Sequence, residues 1–361
     1  MKKYLSIILS TVIAITCLIP FAGCGNKDIP NNKSVQKAEI GIIETTGYKN
    51  KSYIHFYDSN LNFLYKEENN YASLSDSWDD AICHNNILFS IPKGTFEKQD
   101  EKCIVEYNIK TDKYEEYDMN LYSMNELAVS NNYIFGVNTI NSISTISRKM
   151  IGQSEEVPLI KEFPDEYIFE MIVLDEDLYC FSSDSKDNSV HFKQLSIDDL
   201  SVIEDYDITE FGSPADMLKV GNDIYFTNQY TDADSGIPSN KITVYDSEKK
   251  SFSQIELSEN NPNDILKYNN LLIISHFDRV QAIGNKITIY NLSDDRVERV
   301  INLNHDAVQC ILKDNFLYVL SHDSISKYLI TDNDLKEIST SKVNMQTGNT
   351  YFYLSSVFSC N

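Results

Sequence analysis

One segment keeps returning along this chain. Residues 263–275 place two short apolar runs on either side of the pair Asn269-Asn270. The same arrangement recurs at 80–88, 126–134, 170–179, 216–225 and 309–318. Its anchors Leu88, Ile134, Tyr179, Tyr225, Leu272 and Tyr318 are spaced 46, 45, 46, 47 and 46 residues apart. A period that constant means one supersecondary unit repeated, each copy burying its apolar face against the next.

Each unit divides into four strand-sized runs, A to D, at 264–268, 271–275, 286–290 and 298–303 in the sixth. The C runs often end in Tyr plus an Asx residue, as in Tyr57-Asp58, Tyr107-Asn108, Tyr245-Asp246 and Tyr290-Asn291. Asx side chains bond nearby backbone and so close hairpins. Only 12 Gly and 8 Pro accompany 23 Tyr and 17 Phe, a composition suited to many short strands. Beyond the N-terminal segment no stretch has a helical period.

The ends of the array explain each other. The first unit has B, C and D runs at 38–45, 52–57 and 61–65 but no A run, while an orphan strand stands at 350–358. A late strand that completes the first unit closes a ring and removes exposed edges. The expectation is all-β, a seven-bladed β-propeller of four-stranded blades. The blades are expected at 38–67 with 350–358, then 78–120, 125–164, 167–210, 214–258, 262–304 and 306–343. Weak patterning at 140–160 leaves six and eight blades open. The repeat resembles the YVTN/NHL-like bacterial β-propellers, and Asp223 to Asn228 is similar to the Asp-x-Ile-Tyr-aromatic repeats of secreted propellers. That likeness is a blade consensus and implies fold alone.

Ahead of the array, Lys2-Lys3 precedes a 15-residue mostly apolar run, Leu5 to Ile19, and then Phe21-Ala22-Gly23-Cys24. This resembles a bacterial lipoprotein signal, cleaved before Cys24, which would carry the lipid; an ordinary secretory signal is the alternative. Residues 1–23 are then signal, 24–37 a lipidated Cys and polar tether, and 38–361 the propeller, held at the extracytoplasmic face of the cell membrane. Removing Lys2 and Lys3 leaves 29 basic against 54 acidic residues, a net −25. Such a surface repels nucleic acid and favours cations or basic ligands. Five further cysteines, Cys83, Cys103, Cys180, Cys310 and Cys360, have no disulfide or metal spacing and read mainly as free thiols, with one bridge open.

The resemblance implies that A strands line a central channel and that D–A and B–C loops share one face. The first residues of the A runs, Asp80, Glu126, Glu170, Asp216, Asp264 and Gln309, then ring the channel mouth. Converging carboxylates are relieved by protonation, by a cation or by hydrogen bonds. Three of them, Asp216, Asp264 and Glu170, would suffice with other oxygens to hold Ca²⁺ or another divalent ion. Alternatively, each acid accepts backbone N–H groups of the next blade. A second set, His276, Asp278, Arg279, His305 and His322, falls on the same face at blades six and seven. Three histidines can ligate a transition metal, and polar loop ends are the plainer reading. Trp78 and Tyr230 offer aromatic contact to a protein, peptide or glycan ligand, and long polar loops at 182–189, 228–240 and 276–284 put the expected binding face across blades four to seven.

No nucleophile elbow, phosphate-binding glycine loop or zinc-protease motif is present in the sequence. The reading is a non-catalytic binding module, with a divalent-metal-dependent, lactonase-like hydrolase or lyase as the alternative.

Overall fold

Strand burial is greatest in the middle of each repeat and drops at the outermost strand, and the sequence follows it. In the sixth repeat the second strand, LLIISHFD, is buried at all eight positions. The outermost, RVERVIN, buries none of its residues fully. A strand packed on both faces needs a continuous apolar run, whereas an outer strand needs only alternation. The computed structural model describes residues 38–76, 78–98, 101–232, 236–331 and 334–360. Cys24 and its flanks lie outside the described residues.

The described strands form seven four-stranded antiparallel sheets. Blade one contains β1 (Ile40–Thr45), β2 (Ser52–Tyr57) and β3 (Phe63–Asn69). Blade two is β4 (Ile82–His84), β5 (Ile87–Ser90), β6 (Cys103–Asn108) and β7 (Lys113–Asp118). Blade three is β8 (Glu126–Val129), β9 (Tyr133–Ile140), β10 (Ile143–Met150) and β11 (Leu159–Pro164). Blade four is β12 (Glu166–Leu174), β13 (Asp177–Asp184), β14 (Val190–Ser196) and β15 (Val202–Asp207). Blade five is β16 (Ser213–Val220), β17 (Asp223–Tyr230), β18 (Pro238–Asp246) and β19 (Ser251–Glu256). Blade six is β20 (Pro262–Tyr268), β21 (Leu271–Asp278), β22 (Ile283–Asn291) and β23 (Arg296–Asn302). Blade seven is β24 (Gln309–Lys313), β25 (Phe316–Leu320), β26 (Ser324–Ile330) and β27 (Leu335–Lys342), and β28 (Tyr353–Ser359) joins blade one in the order β28-β1-β2-β3. The weakly patterned third unit is a full blade, so the count is seven.

Turn chemistry sets these registers. Asn85 and Asn86, between β4 and β5, both have positive φ, at 55° and 63°, as a tight hairpin requires and Asn tolerates. At the other hairpins Asp58, Asn108, Asp246 and Asn291 accept the following backbone N–H groups. Apolar clusters lie between blades, not within them: Ile273 and Ile289 of blade six pack with Leu317 and Val319 of blade seven. Blades two and three, three and four, four and five, and five and six share cores in the same way.

At the closure, Val357 and Phe358 are buried and β28 pairs along β1. Gly41 lies under the Phe358 ring, where a Cβ would come within 2.1 Å of it. The five cysteines are free thiols, and all but Cys83 are fully buried.

Candidate functional site

The ring position at the head of each innermost strand does two different jobs. From blade five round to blade two it holds the neighbouring blade. Asp216 Oδ2 accepts the Ile265 N–H at 2.9 Å, and Asp264 Oδ2 accepts the Cys310 N–H at 2.8 Å. Gln309 Oε1 accepts the Val357 N–H at 2.6 Å, and Ser356 Oγ accepts the Ala81 N–H at 3.2 Å. Ser356 is therefore the seventh member of the ring, hidden from the repeat because its strand is the displaced one.

At Asp80, Glu126 and Glu170 the pattern stops. Among the described residues these three carboxyl groups have no hydrogen-bond or ion-pair partner, although Glu126 is only 6% exposed. Burial pushes all three well above the ordinary carboxylate range. Neighbouring acids add to it, chiefly Asp264 for Asp80 and Glu170 for Glu126, while Arg279 opposes. Asp264 is pushed up to about 7, by burial and then by Asp216. Asp216, which keeps two backbone N–H bonds, is raised as well, again by burial.

The resident cation of the channel comes from blade six. Arg279 leaves the end of β21 and reaches inward, where its Nε donates to Asn263 Oδ1 at 2.6 Å and Nη2 to the Ala215 carbonyl at 3.3 Å. Gln229 braces this arm, accepting the Arg279 N–H and donating to Asn263 Oδ1 and the Phe277 carbonyl. Four carboxyl groups, led by Glu170 and Asp80, hold the charge on the arginine against the cost of burying it. They act from beyond ion-pair distance. A second cation, Lys93, bonds Asp76 at 2.7 Å and lies 3.6 Å from Asp79. Both Asp79 oxygens are buried without a hydrogen bond, and burial pushes that carboxyl up to about 7.

These groups surround a cavity of about 440 Å³ opening on the face of the D–A and B–C loops. Glu126, Glu170 and Arg279 stand at its floor, and Trp78, Tyr167 and Phe169 form its walls. A smaller chamber of about 230 Å³ continues below past Asp80, lined by Ile82, Leu127, Met171 and Leu266. The volume is that of small-molecule pockets in general. The cavity draws on blades two to five, with only Arg279 from blade six. The sequence placed the binding face at blades four to seven because loop length dominates there; the pocket lies where ring residues lack blade contacts.

Trp78 is 51% exposed at the rim, with the Arg279 guanidinium 5.8 Å from its ring centre. The Tyr230 hydroxyl donates to Asp278 Oδ1, which also accepts the Val280 and Gln281 N–H groups, so this pair fixes the loop that carries Arg279. The histidines do not converge. His276 is buried between the Asn260 carbonyl and Thr288, and burial lowers its pKa to about 4. His305 bonds the Asp306 carbonyl and the Tyr328 hydroxyl, and His322 the Ala282 carbonyl. Among the described residues no three His, Cys, Asp or Glu side chains are gathered as metal ligands, Asp216, Asp264 and Glu170 included. Sequence reasoning missed Lys93, Asp79, Gln229, Asn263, Tyr167 and Phe169. Asp79 adjoins a ring acid and Asn263 another, which was the one available signal.

No protein family's sequence profile matches the chain, and no curated protein matches it. Solved structures do. AztD from Citrobacter koseri aligns at 10% identity over 90% of this chain and 99% of that one, with a TM-score of 0.50. Dihydro-heme d1 dehydrogenase NirN in complex with DHE aligns at 9% identity over 89% and 75%, with a TM-score of 0.54. A chain of the mitotic checkpoint complex aligns at 9% over 75% and 79%, also at 0.54. At such identities the likeness shows the propeller fold alone.

Proposed function

We propose that the protein is a non-catalytic binding module, held at the extracytoplasmic face of the cell membrane by a lipid on Cys24, that takes its ligand in the channel-mouth cavity. One observation carries this reading. At a position used elsewhere in the ring to hold the next blade, Asp80, Glu126 and Glu170 have no hydrogen-bond or ion-pair partner among the described residues and line the cavity or the chamber below it, Glu126 buried and the other two half-buried. Buried ionisable groups without partners cost stability, and a fold keeps such a cost where function uses it. Exposed Tyr48, Phe96, Tyr122, Tyr167 and Tyr351 lie on the same face, as binding surfaces favour.

A hydrolase or lyase at this site would have to work through these carboxyls. The Cys310 thiol at the chamber floor is driven well above its ordinary value by burial and by Asp264, which keeps it from acting as a thiolate. The three histidines of blades six and seven hold structural bonds away from the three free carboxyls.

Trp78 is the chain's one tryptophan and stands at the rim, so its emission reports on the cavity. The test is a fluorescence titration of the full chain with a library of amines, sugars, nucleotides and peptides. Each hit is repeated on Ser213→Phe, which fills the cavity from its wall, after a melt shows that variant folded. A saturable change lost in Ser213→Phe is expected. No change with any compound would refute the reading.

A further inference from the structure

The chemistry of the cavity goes further than the statement that something binds there. Resting on the pocket reading above, we propose that the ligand is an organic cation presenting an alkylammonium group, which enters amine first and is held by Glu126 and Glu170 beneath Trp78 and Tyr167.

Charge is the first argument. Asp76, Asp80, Glu126, Glu170, Asp216 and Asp264 line the cavity and the chamber below it together with two cations, Arg279 and Lys93. Lys93 is taken by Asp76 and Asp79, and Arg279 is tied to Asn263 and the Ala215 carbonyl. Neither bonds the three free carboxyls. An unpaired buried carboxylate is costly, and the cost is removed by an incoming cation that can donate hydrogen bonds. Glu126, 94% buried and without a partner, lines both the cavity and the chamber beneath, so it meets anything that enters.

The walls decide which cation. Ca²⁺ asks for six to eight oxygens at about 2.3–2.6 Å, and among the described residues no three His, Cys, Asp or Glu side chains are gathered to hold a metal ion. Above Glu126 and Glu170 the cavity instead has apolar walls, Val190 and Pro214 with the rings of Trp78, Tyr167 and Phe169. An acid floor under aromatic and apolar walls is the pattern that accepts a charged head on a hydrocarbon stem. A volume of about 440 Å³ admits the stem as well as the head. The same ammonium chemistry is offered by a free polyamine and by a lysine side chain of a peptide.

The test is a titration of the full chain, followed by Trp78 emission and by calorimetry. The probes are hexane-1,6-diamine, spermidine, Nα-acetyl-lysine methylamide and, as the uncharged control, hexane-1,6-diol. The expected result is saturable binding of the amines and none of the diol. Glu126→Gln and Glu170→Gln should each weaken binding at least tenfold without lowering the melting temperature. Tighter binding of the free amines or of the lysine derivative identifies the source. Amines that bind both Gln variants as well as wild type would overturn the proposal. So would the absence of amine binding while other library compounds still give a response lost in Ser213→Phe, an outcome that leaves the pocket reading standing. Silence from every compound would remove both.

Discussion

Replacing Asp79 by Asn should make this protein more stable at pH 8 and leave it unchanged or slightly weaker at pH 4. Asp79 is 1% exposed, neither oxygen has a hydrogen bond, and Lys93 stands 3.6 Å away while being shared with Asp76. Burial therefore outweighs the lysine and pushes the carboxyl from 3.8 to about 7. A raised folded-state value means that the native protein holds the proton more tightly than the unfolded chain. Its stability is intact below the ordinary carboxylate range and is lost as pH climbs through about 7. A shift of that size corresponds to on the order of 4 kcal/mol across the window. For a domain of this length the midpoint should move by about 6 °C. The assay is a set of thermal and urea melts of wild type and Asp79→Asn from pH 4 to 8.5 at fixed ionic strength. Two curves that run parallel with pH, or a variant less stable at pH 8, would show that Lys93 already compensates the carboxylate and that the burial argument is wrong.

Three further outcomes follow from the ring and its anchor. Gln309→Ala strands the buried Val357 N–H at the closing junction and should cost about 1–3 kcal/mol in urea denaturation, against under 1 kcal/mol for Gln309→Glu near pH 5. Phe358→Ala empties the packing above Gly41 and should cost about 3–5 kcal/mol, with limited proteolysis cutting first between blades one and seven. Cys24→Ser in a bacterial host should move the protein from the membrane fraction to the soluble extracytoplasmic fraction, and unchanged fractionation would count against a lipid anchor.

Much of the architecture was readable because strand and turn signals repeat with the same spacing. The displaced strand at 350–358 could be assigned to blade one since the first repeat lacked an inner run. The ring acids were legible as a ring for the same reason. Their division into blade ties and free carboxyls was not, because a hydrogen bond from the next blade depends on how two sheets are rotated about the axis. Asp216 and Glu170 look alike in sequence, yet one accepts the Ile265 N–H and the other nothing. Arg279 read as a loop residue of one blade, and only the brace from Gln229, some fifty positions earlier, turns it into the channel. The histidines misled for the opposite reason: shared loop ends gave proximity in sequence terms, while strand pairing pointed His276 between Asn260 and Thr288.

The pairing of Thr45 with Tyr353, 308 positions apart, also sets an order of assembly. Loop-closure entropy grows only slowly with length, so the junction is affordable once made, but such distant contacts form late and slowly. Until they form, β1 presents an unpaired edge, and the six blades behind it have local partners. The chain should therefore pass through a nearly complete, open array whose exposed seam is open to pairing with a second molecule. Lys313, whose Nζ bonds the Glu39 and Cys360 carbonyls across that seam, ties the two ends of the ring once it shuts.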